Sequence, residues 1–488
     1  MIASLNASYS LMIPLIGAAL IYTTRKNCNI RELVTLLSAT GLFAINLILF
    51  FNQDRTIDSE ITLLEIIPNA PLLLKIEPLG LFFGLIASGL WIINSIYSIG
   101  YTRANQEKNQ TRFYICFAVA LSSTMGIAFA GNLITLFLFY EILTLSTYPL
   151  VAHHGTEIAQ RGSRIYLGIL LSTSVVFLLF AIIWTWVVAG DINFQNNGII
   201  EKTTIEGNSG LILLALFIFG FGKAAIMPFH KWLPAAMVAP TPVSALLHAV
   251  AVVKAGVFCI LKVVIYIFGI DYLVSLGGIN WLVLLSAFTI IAASLIALRA
   301  DNLKRRLAYS TISQLSYIVL STALLAPLAL LGACLHIVAH AVSKITLFFA
   351  AGAIYTASSK TKVSELNGIG KRMPLTMVAF GVGALSLIGI PPAIGFLSKW
   401  YILSGAISIG SNFAVFVIVL STLLNAAYFL PILYRAFFKN EGDEAGDHGE
   451  APVAMIIAMV CTASLTIILF FFPDVLINLV EKILEDPV

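Results

Sequence analysis

GFGKAAIMPFHKWLP, residues 220–234, places a lysine and a proline directly behind the apolar run LILLALFIFGF. That run reads as a membrane helix, since about 20 mostly apolar residues cross a bilayer. A charge at the bilayer centre costs at least about 2.5–3.5 kcal/mol. Lys223 is therefore kept only if it pairs, faces a wet cavity or works. Pro228 removes a backbone donor and clashes with the turn before it. In hydrocarbon the freed carbonyl needs another partner, so broken helices persist where they are buried or line a cavity. The break is expected to open the helix to water and to give Lys223 a place to exchange a proton.

The rest of the chain supports a membrane reading. Of its 488 residues, 59% are hydrophobic and 11% charged, with a mean hydropathy of +0.97; soluble domains carry about 25% charged residues. The expected fold is an all-α polytopic membrane protein of about 14 spans, starting near residues 5, 32, 76, 113, 132, 165, 210, 242, 277, 307, 327, 374, 412 and 452. The N-terminus has no basic stretch before its apolar run and reads as a first span rather than a cleaved signal. The longer polar stretches, about 52–75, 190–209 and 439–450, leave no room for a soluble domain.

Charge placement orients the spans. Loops after odd-numbered spans hold 18 basic residues, among them Arg25, Arg103, Arg161, Arg305, Lys371 and Arg435, whereas the opposite side holds Arg55, Lys75, Lys202 and Lys482. Cytoplasmic loops are the ones enriched in Lys and Arg. Both termini are thus expected on the outer, periplasmic side of a cell inner or plasma membrane. The five cysteines are scattered singly and no CxxC occurs, so no cysteine-ligated cluster, metal site or other cofactor is expected. The apparent GK at Gly222-Lys223 has Phe217 where a phosphate-binding loop needs glycine. This chain by itself is expected to perform no covalent catalysis.

Six lysines lie in or at the edge of spans: Lys223, Lys231, Lys254, Lys262, Lys344 and Lys399. Glu141, in FYEILTLSTYPLV, is the single acid inside a span by this reading, and a Glu141–Lys223 pair is expected. One acid shared among several lysines is poor helix glue. An amine that exchanges between charged and neutral forms is instead a proton carrier. Lys231 beside Trp232 fits an interfacial snorkelling position, and Lys262 in FCILKVVIYIFG is open between a relay and a helix-contact role. In LHIVAHAVSKITLFFAAG, His336, His340 and Lys344 recur at i, i+4 and i+8, about 40° and 80° apart on a helix, and so line one stripe. Histidine is the usual proton relay, and a metal site is disfavoured because no Cys or carboxylate partner lies on the same span. His248 and Lys254 are six apart and share a face only on a distorted helix.

The twelfth span repeats the interrupted arrangement, with Pro391-Pro392 and then Lys399 in ALSLIGIPPAIGFLSKW. Two broken spans, each with a lysine near the break, point to a duplicated transporter fold with ion sites near the midplane. Spans 4–8 (residues 113–270) and 9–13 (271–440) would form two inverted five-helix repeats with helices 7 and 12 broken. Residues 1–112 would hold spans 1–3, and residues 441–488 span 14 and a tail.

GFGKAAIMPFHKWLPAAMVAPTPVSALLHAVAVVKAG, FYEILTLSTYPLV, HIVAHAVSKITLFFAAG and GIPPAIGFLSKW together resemble the antiporter-like, proton-translocating subunits of respiratory complex I and of Mrp-type multisubunit sodium/proton antiporters. By length the chain is most similar to the D-type subunit of those antiporters, while PTPVSALLHA is closer to their A-type subunit and to the largest complex I subunit. The resemblance implies an ion-translocating subunit with other membrane subunits as partners and protons and a monovalent cation, Na+, as cargo. Glu141 and Lys223 would gate a proton, His248 or Lys254 would pass it inward, His336, His340 and Lys344 would carry it along the centre, and Lys399 would exchange it with the far side. The alternative is a proton-pumping subunit of a complex I-like NADH-quinone oxidoreductase or a membrane-bound hydrogenase. A scaffold whose buried charges only fasten helices is a third possibility.

Overall fold

The computed structural model describes residues 7–68, 70–200, 205, 208–246, 250–440 and 448–484. They form a helical bundle whose principal helices are α1 (Ser8–Thr23), α2 (Cys28–Phe51), α3 (Pro78–Ala104), α4 (Gln110–Ala128), α5 (Leu133–Val151), α6 (Glu157–Ala189), α7 (Asn208–Gly220) and α8 (Val252–Val263). The chain continues through α9 (Asn280–Arg299), α10 (Leu303–Ala323), α11 (Pro327–Ser358), α12 (Pro374–Ile388), α13 (Ile394–Ser408), α14 (Asn412–Phe438), α15 (Val453–Phe471) and α16 (Asp474–Leu484). Several starts follow from local chemistry. Asn27, Asn132, Thr156 and Asn302 accept backbone N–H bonds at the N-caps of α2, α5, α6 and α10, and prolines open α3, α11 and α12, where the missing N–H costs nothing.

Among the described residues nine helices are long and apolar enough to cross a membrane: α2, α3, α4, α5, α6, α9, α11, α14 and α15. The apolar helices α1, α7 and α12 are shorter. α10 falls outside this group because Tyr309, Ser310, Ser313, Gln314 and Ser316 interrupt its apolar residues, yet all of them are buried. α11 is the axis: its whole apolar window is buried, against 33% for α2 and α15 at the periphery. The outward faces of the peripheral helices carry apolar residues such as Leu37, Val453 and Phe471, each more than 60% exposed. Such a surface is favourable against lipid or against a neighbouring membrane subunit. One departure from an all-helical expectation lies in the polar stretch after α2. There Glu60–Ile67 and Ala70–Lys75 pair as an antiparallel hairpin, β1 and β2, with Glu60 opposite Lys75. The hairpin is pinned to the bundle by a bridge between Leu74 and Ala130.

Both expected breaks are present. α7 ends at Gly220 and a 3₁₀ turn, Gly222–Ala224, follows, with Ala225 at φ +56°. α12 ends at Ile388, Gly389 takes φ +94°, and α13 resumes at Ile394. Two similar backbone latches are also present. In one half Leu133 N–H donates to Ile192 O and Phe194 N–H to Gly131 O, both at 3.0 Å. In the other, Leu303 N–H donates to Thr361 O at 2.9 Å and Val363 N–H to Asp301 O at 2.7 Å. Each set surrounds an N-cap asparagine, Asn132 or Asn302, whose side chain accepts the N–H three residues on at 2.9 Å. The first latch lies beside the hairpin and the second beside the basic residues Arg299, Lys304 and Lys362.

Candidate functional site

The break after α7 turns Lys223 inward, where it is fully buried. Its amine donates to Tyr140 O at 2.8 Å and Thr144 Oγ1 at 2.6 Å, and lies 3.1 Å from the centre of the Tyr140 ring. Tyr140 and Thr144 are one turn apart on α5, so they form one facet. The backbone freed by the break is satisfied by protein groups rather than opened to solvent: Lys223 N–H donates to the Tyr140 hydroxyl at 3.0 Å, and Trp232 Nε1–H donates to Gly222 O at 2.9 Å. Pro228, by contrast, is exposed.

The expected Glu141–Lys223 ion pair is not closed. Among the described residues no ion pair joins them, and both Glu141 carboxylate oxygens are buried without a hydrogen-bond partner. Helical phase contributes: on α5 Glu141 points about 100° from Tyr140 and about 60° from Thr144, to one side of the facet that holds the amine. A second correction concerns the acids. Glu141 is not the only one available to a buried lysine, because Glu77, 3% exposed just before α3, lies 2.8 Å from Lys262 Nζ through its Oε2. The directed hydrogen bond of that amine goes to Ala130 O at 2.7 Å. Lys231 is exposed, as a snorkelling lysine would be.

α8 passes directly behind Lys223. A methyl group at Gly256 would overlap the Lys223 and Ala224 backbone, so glycine is what permits the approach. Two residues before it, buried Lys254 sets its Nζ in direct hydrogen-bond contact with His340 Nδ1. His248 lies outside the described residues. His336, His340 and Lys344 do line one stripe of α11, all buried, but each has its own partners. The His336 and His340 rings are 6.4 Å apart. His336 Nδ1 is 2.9 Å from Ser398 Oγ and its Nε2 is 3.0 Å from Gln314 Oε1. Lys344 donates to Ser310 Oγ at 2.5 Å.

At the second break, Lys399 reaches back from α13 and donates to Leu387 O at 2.8 Å and Ile388 O at 3.0 Å. These are the carbonyls that the end of α12 leaves without helical partners, and the C-terminal end of a helix favours a cation. Its amine also lies 4.9 Å from the Tyr317 ring, which in turn is 5.6 Å from His336. Lys254, His340 and His336 thus follow one another through the buried centre, and His336 reaches α13 at Ser398, the residue before Lys399. Lys223 with its α5 facet lies at one end, across Gly256.

The sequence reading missed the hydroxyl and amide partners. Ser310, Gln314, Tyr317 and Ser321 recur on α10 at spacings of four, three and four, a polar helical stripe that could have been recognised. Nothing in the sequence marks Tyr140 or Thr144. On the face of the basic loops, Glu107 lies between His154, 3.3 Å away, and His153, 3.6 Å away. Burial would raise its carboxyl, but hydrogen bonds and positive charge from the two imidazoles outweigh that and pull it from 4.5 to about 2.

A bundle of apolar helices, two interrupted helices and a buried lysine–histidine line define an antiporter-like membrane subunit. The family model described as NADH:quinone oxidoreductase/Mrp antiporter, TM, matches residues 130–425, and the chain belongs to that family. It is 34% identical over 376 residues to NADH-quinone oxidoreductase subunit N of Desulforudis audaxviator, covering 76% of this chain and 72% of the relative. It is 30% identical over 436 residues to the A-type subunit of the Na(+)/H(+) antiporter of Alkalihalophilus pseudofirmus, covering 82% of this chain and 52% of that one. It therefore spans about half the length of the antiporter relative. A chain of the Mrp complex from Dietzia sp. DQ12-45-1b has the same fold, with a TM-score of 0.87 at 20% identity over 98% of this chain and 97% of that chain. The protein is a multi-span membrane subunit of the kind found in Mrp and complex I-like assemblies.

Proposed function

We propose that this chain is an ion-translocating subunit, of the D type, in a multisubunit monovalent cation (Na+)/proton antiporter. It moves protons along Glu141, Lys223, His248, Lys254, His336, His340, Lys344 and Lys399. The Lys254–His340 contact carries the proposal: two groups that each hold or release a proton touch at full burial on two different helices. A fastening role would be met by one amine on a fixed acceptor. The division into residues 1–112, 113–270, 271–440 and 441–488 belongs to the same proposal, as does the placement of both termini outside a plasma membrane. The twin latches around Asn132 and Asn302 support the two repeats.

The test is cation-dependent proton flux in proteoliposomes holding the intact complex. Lys223→Ala and Glu141→Ala should abolish it while the complex still assembles, and wild-type flux in both variants would refute the proposal. The 34% identity to a quinone oxidoreductase subunit favours a second reading, in which the same residues serve a redox-driven pump. Co-purifying subunits separate the two: small antiporter subunits support the first, and iron–sulfur and quinone-site subunits support the second.

A further inference from the structure

The buried ion pair between Lys262 and Glu77 lies outside the line described above, and its surroundings lead to the membrane surface. Lys254, Phe258 and Lys262 recur at i, i+4 and i+8, so α8 presents them on one stripe, with the two amines' backbone positions about 12 Å apart. Both lysines are fully buried. Phe258 stands between them, stacked on Phe83 at 4.8 Å, and its ring centre is 5.8 Å from Lys262 Nζ. Beyond Lys262, Glu77 sits in extended backbone at the end of the hairpin's second strand. Lys75 is two residues earlier, so its side chain leaves the extended chain on the same side as that of Glu77. Lys75 Nζ is 3.2 Å from Asp58 Oδ1 and 4.0 Å from Glu60 Oε1, and those two carboxylates are 60% and 52% exposed. Ionisable side chains therefore recur from the central Lys254–His340 contact, past Phe258, to the exposed carboxylates Asp58 and Glu60 beside the hairpin.

We infer that Lys262 and Glu77 form a proton outlet from the first repeat to the hairpin's face of the membrane, fed by Lys254. In this step the Lys262 ammonium gives its proton to the Glu77 carboxylate, leaving a neutral amine and a carboxylic acid. The acid then loses the proton to water at the Lys75–Asp58 pair. The outlet rests on the proposed relay. A buried ion pair is itself weak evidence of a stabilising role, since apolar groups of similar volume often replace one at no loss. A fastener would therefore tolerate neutralisation, and an outlet would not.

The experiment measures proton flux by the intact complex in proteoliposomes for Lys254→Ala and for the paired substitution Glu77→Gln with Lys262→Met, which removes both charges and leaves neither stranded. The outlet predicts that the paired variant assembles and loses flux by about a hundredfold or more, as removal of a positioned proton-transfer group does. Wild-type flux in the paired variant, with Lys254→Ala inactive, overturns the outlet and leaves the relay standing. Wild-type flux in Lys254→Ala overturns both. A second measurement needs no variant of the pair. Dicyclohexylcarbodiimide modifies carboxyl groups that pass through the protonated form, and mass spectrometry should find it on Glu77 during turnover and much reduced in Lys254→Ala. Glu77 left unmodified while Glu141 is labelled overturns the proposal.

Discussion

Thr144→Val tests whether the α5 facet holds the Lys223 amine away from Glu141. The substitution keeps the side chain's shape and deletes the oxygen that accepts from Lys223 at 2.6 Å. Hydrogen bonds to charged groups contribute about 1.5–3 kcal/mol. At 1.4 kcal/mol per factor of ten, losing this one shifts the balance between the facet-bound and Glu141-paired positions by roughly 10–150-fold. The Tyr140 carbonyl, at 2.8 Å, is left to hold the amine there, so the amine should move toward the unpartnered carboxylate. If flux passes through the facet-bound position, flux should fall by the same factor in proteoliposomes holding the intact complex. Thr144→Ser restores the hydroxyl and should restore most of the flux. Equal flux in the Val and Ser variants, or wild-type flux in Thr144→Val, would refute the reasoning.

Gln314→Leu deprives His336 Nε2 of its 3.0 Å partner and should destabilise the protein by about 1–3 kcal/mol, read as a lower thermal midpoint in detergent. Asn132→Ala and Asn302→Ala each remove an N-cap and should each cost about 1 kcal/mol for the cap, with Asn132→Ala the costlier because its Nδ2 also donates to Pro71 O at 2.8 Å; no loss of thermal midpoint in either variant would contradict their role in the latches. Glu107 has its carboxyl held at about 2 against an ordinary 4.5, so its contribution to stability is complete above about 4.5 and is lost as pH falls from there toward 2. Unfolding scans across that window should show the wild type losing more stability than Glu107→Gln, and parallel curves would contradict the assignment.

The membrane class, the broken helices and the His336–His340–Lys344 stripe were legible because each rests on local spacing. A run of apolar residues, a proline or an i, i+4, i+8 series is complete within one segment. Relations between segments were not legible. The sequence offered Glu141 as partner for Lys223, but helix rotation aims it elsewhere and presents Tyr140 and Thr144 instead. Glu77 was not singled out because its burial against Lys262 depends on α8, which is distant in the chain. The sequence reading passed over Ser310 and Gln314. Their stripe acquires meaning only when α11 lies beside it.

The twin latches around Asn132 and Asn302 are built mainly from peptide groups. Peptide groups are the same in every residue except proline, so mutation of most side chains leaves such a contact intact. Two halves fastened this way can drift apart in spelling while their shapes stay matched. A common ancestry for the halves is then better sought by superposing main chains than by aligning letters.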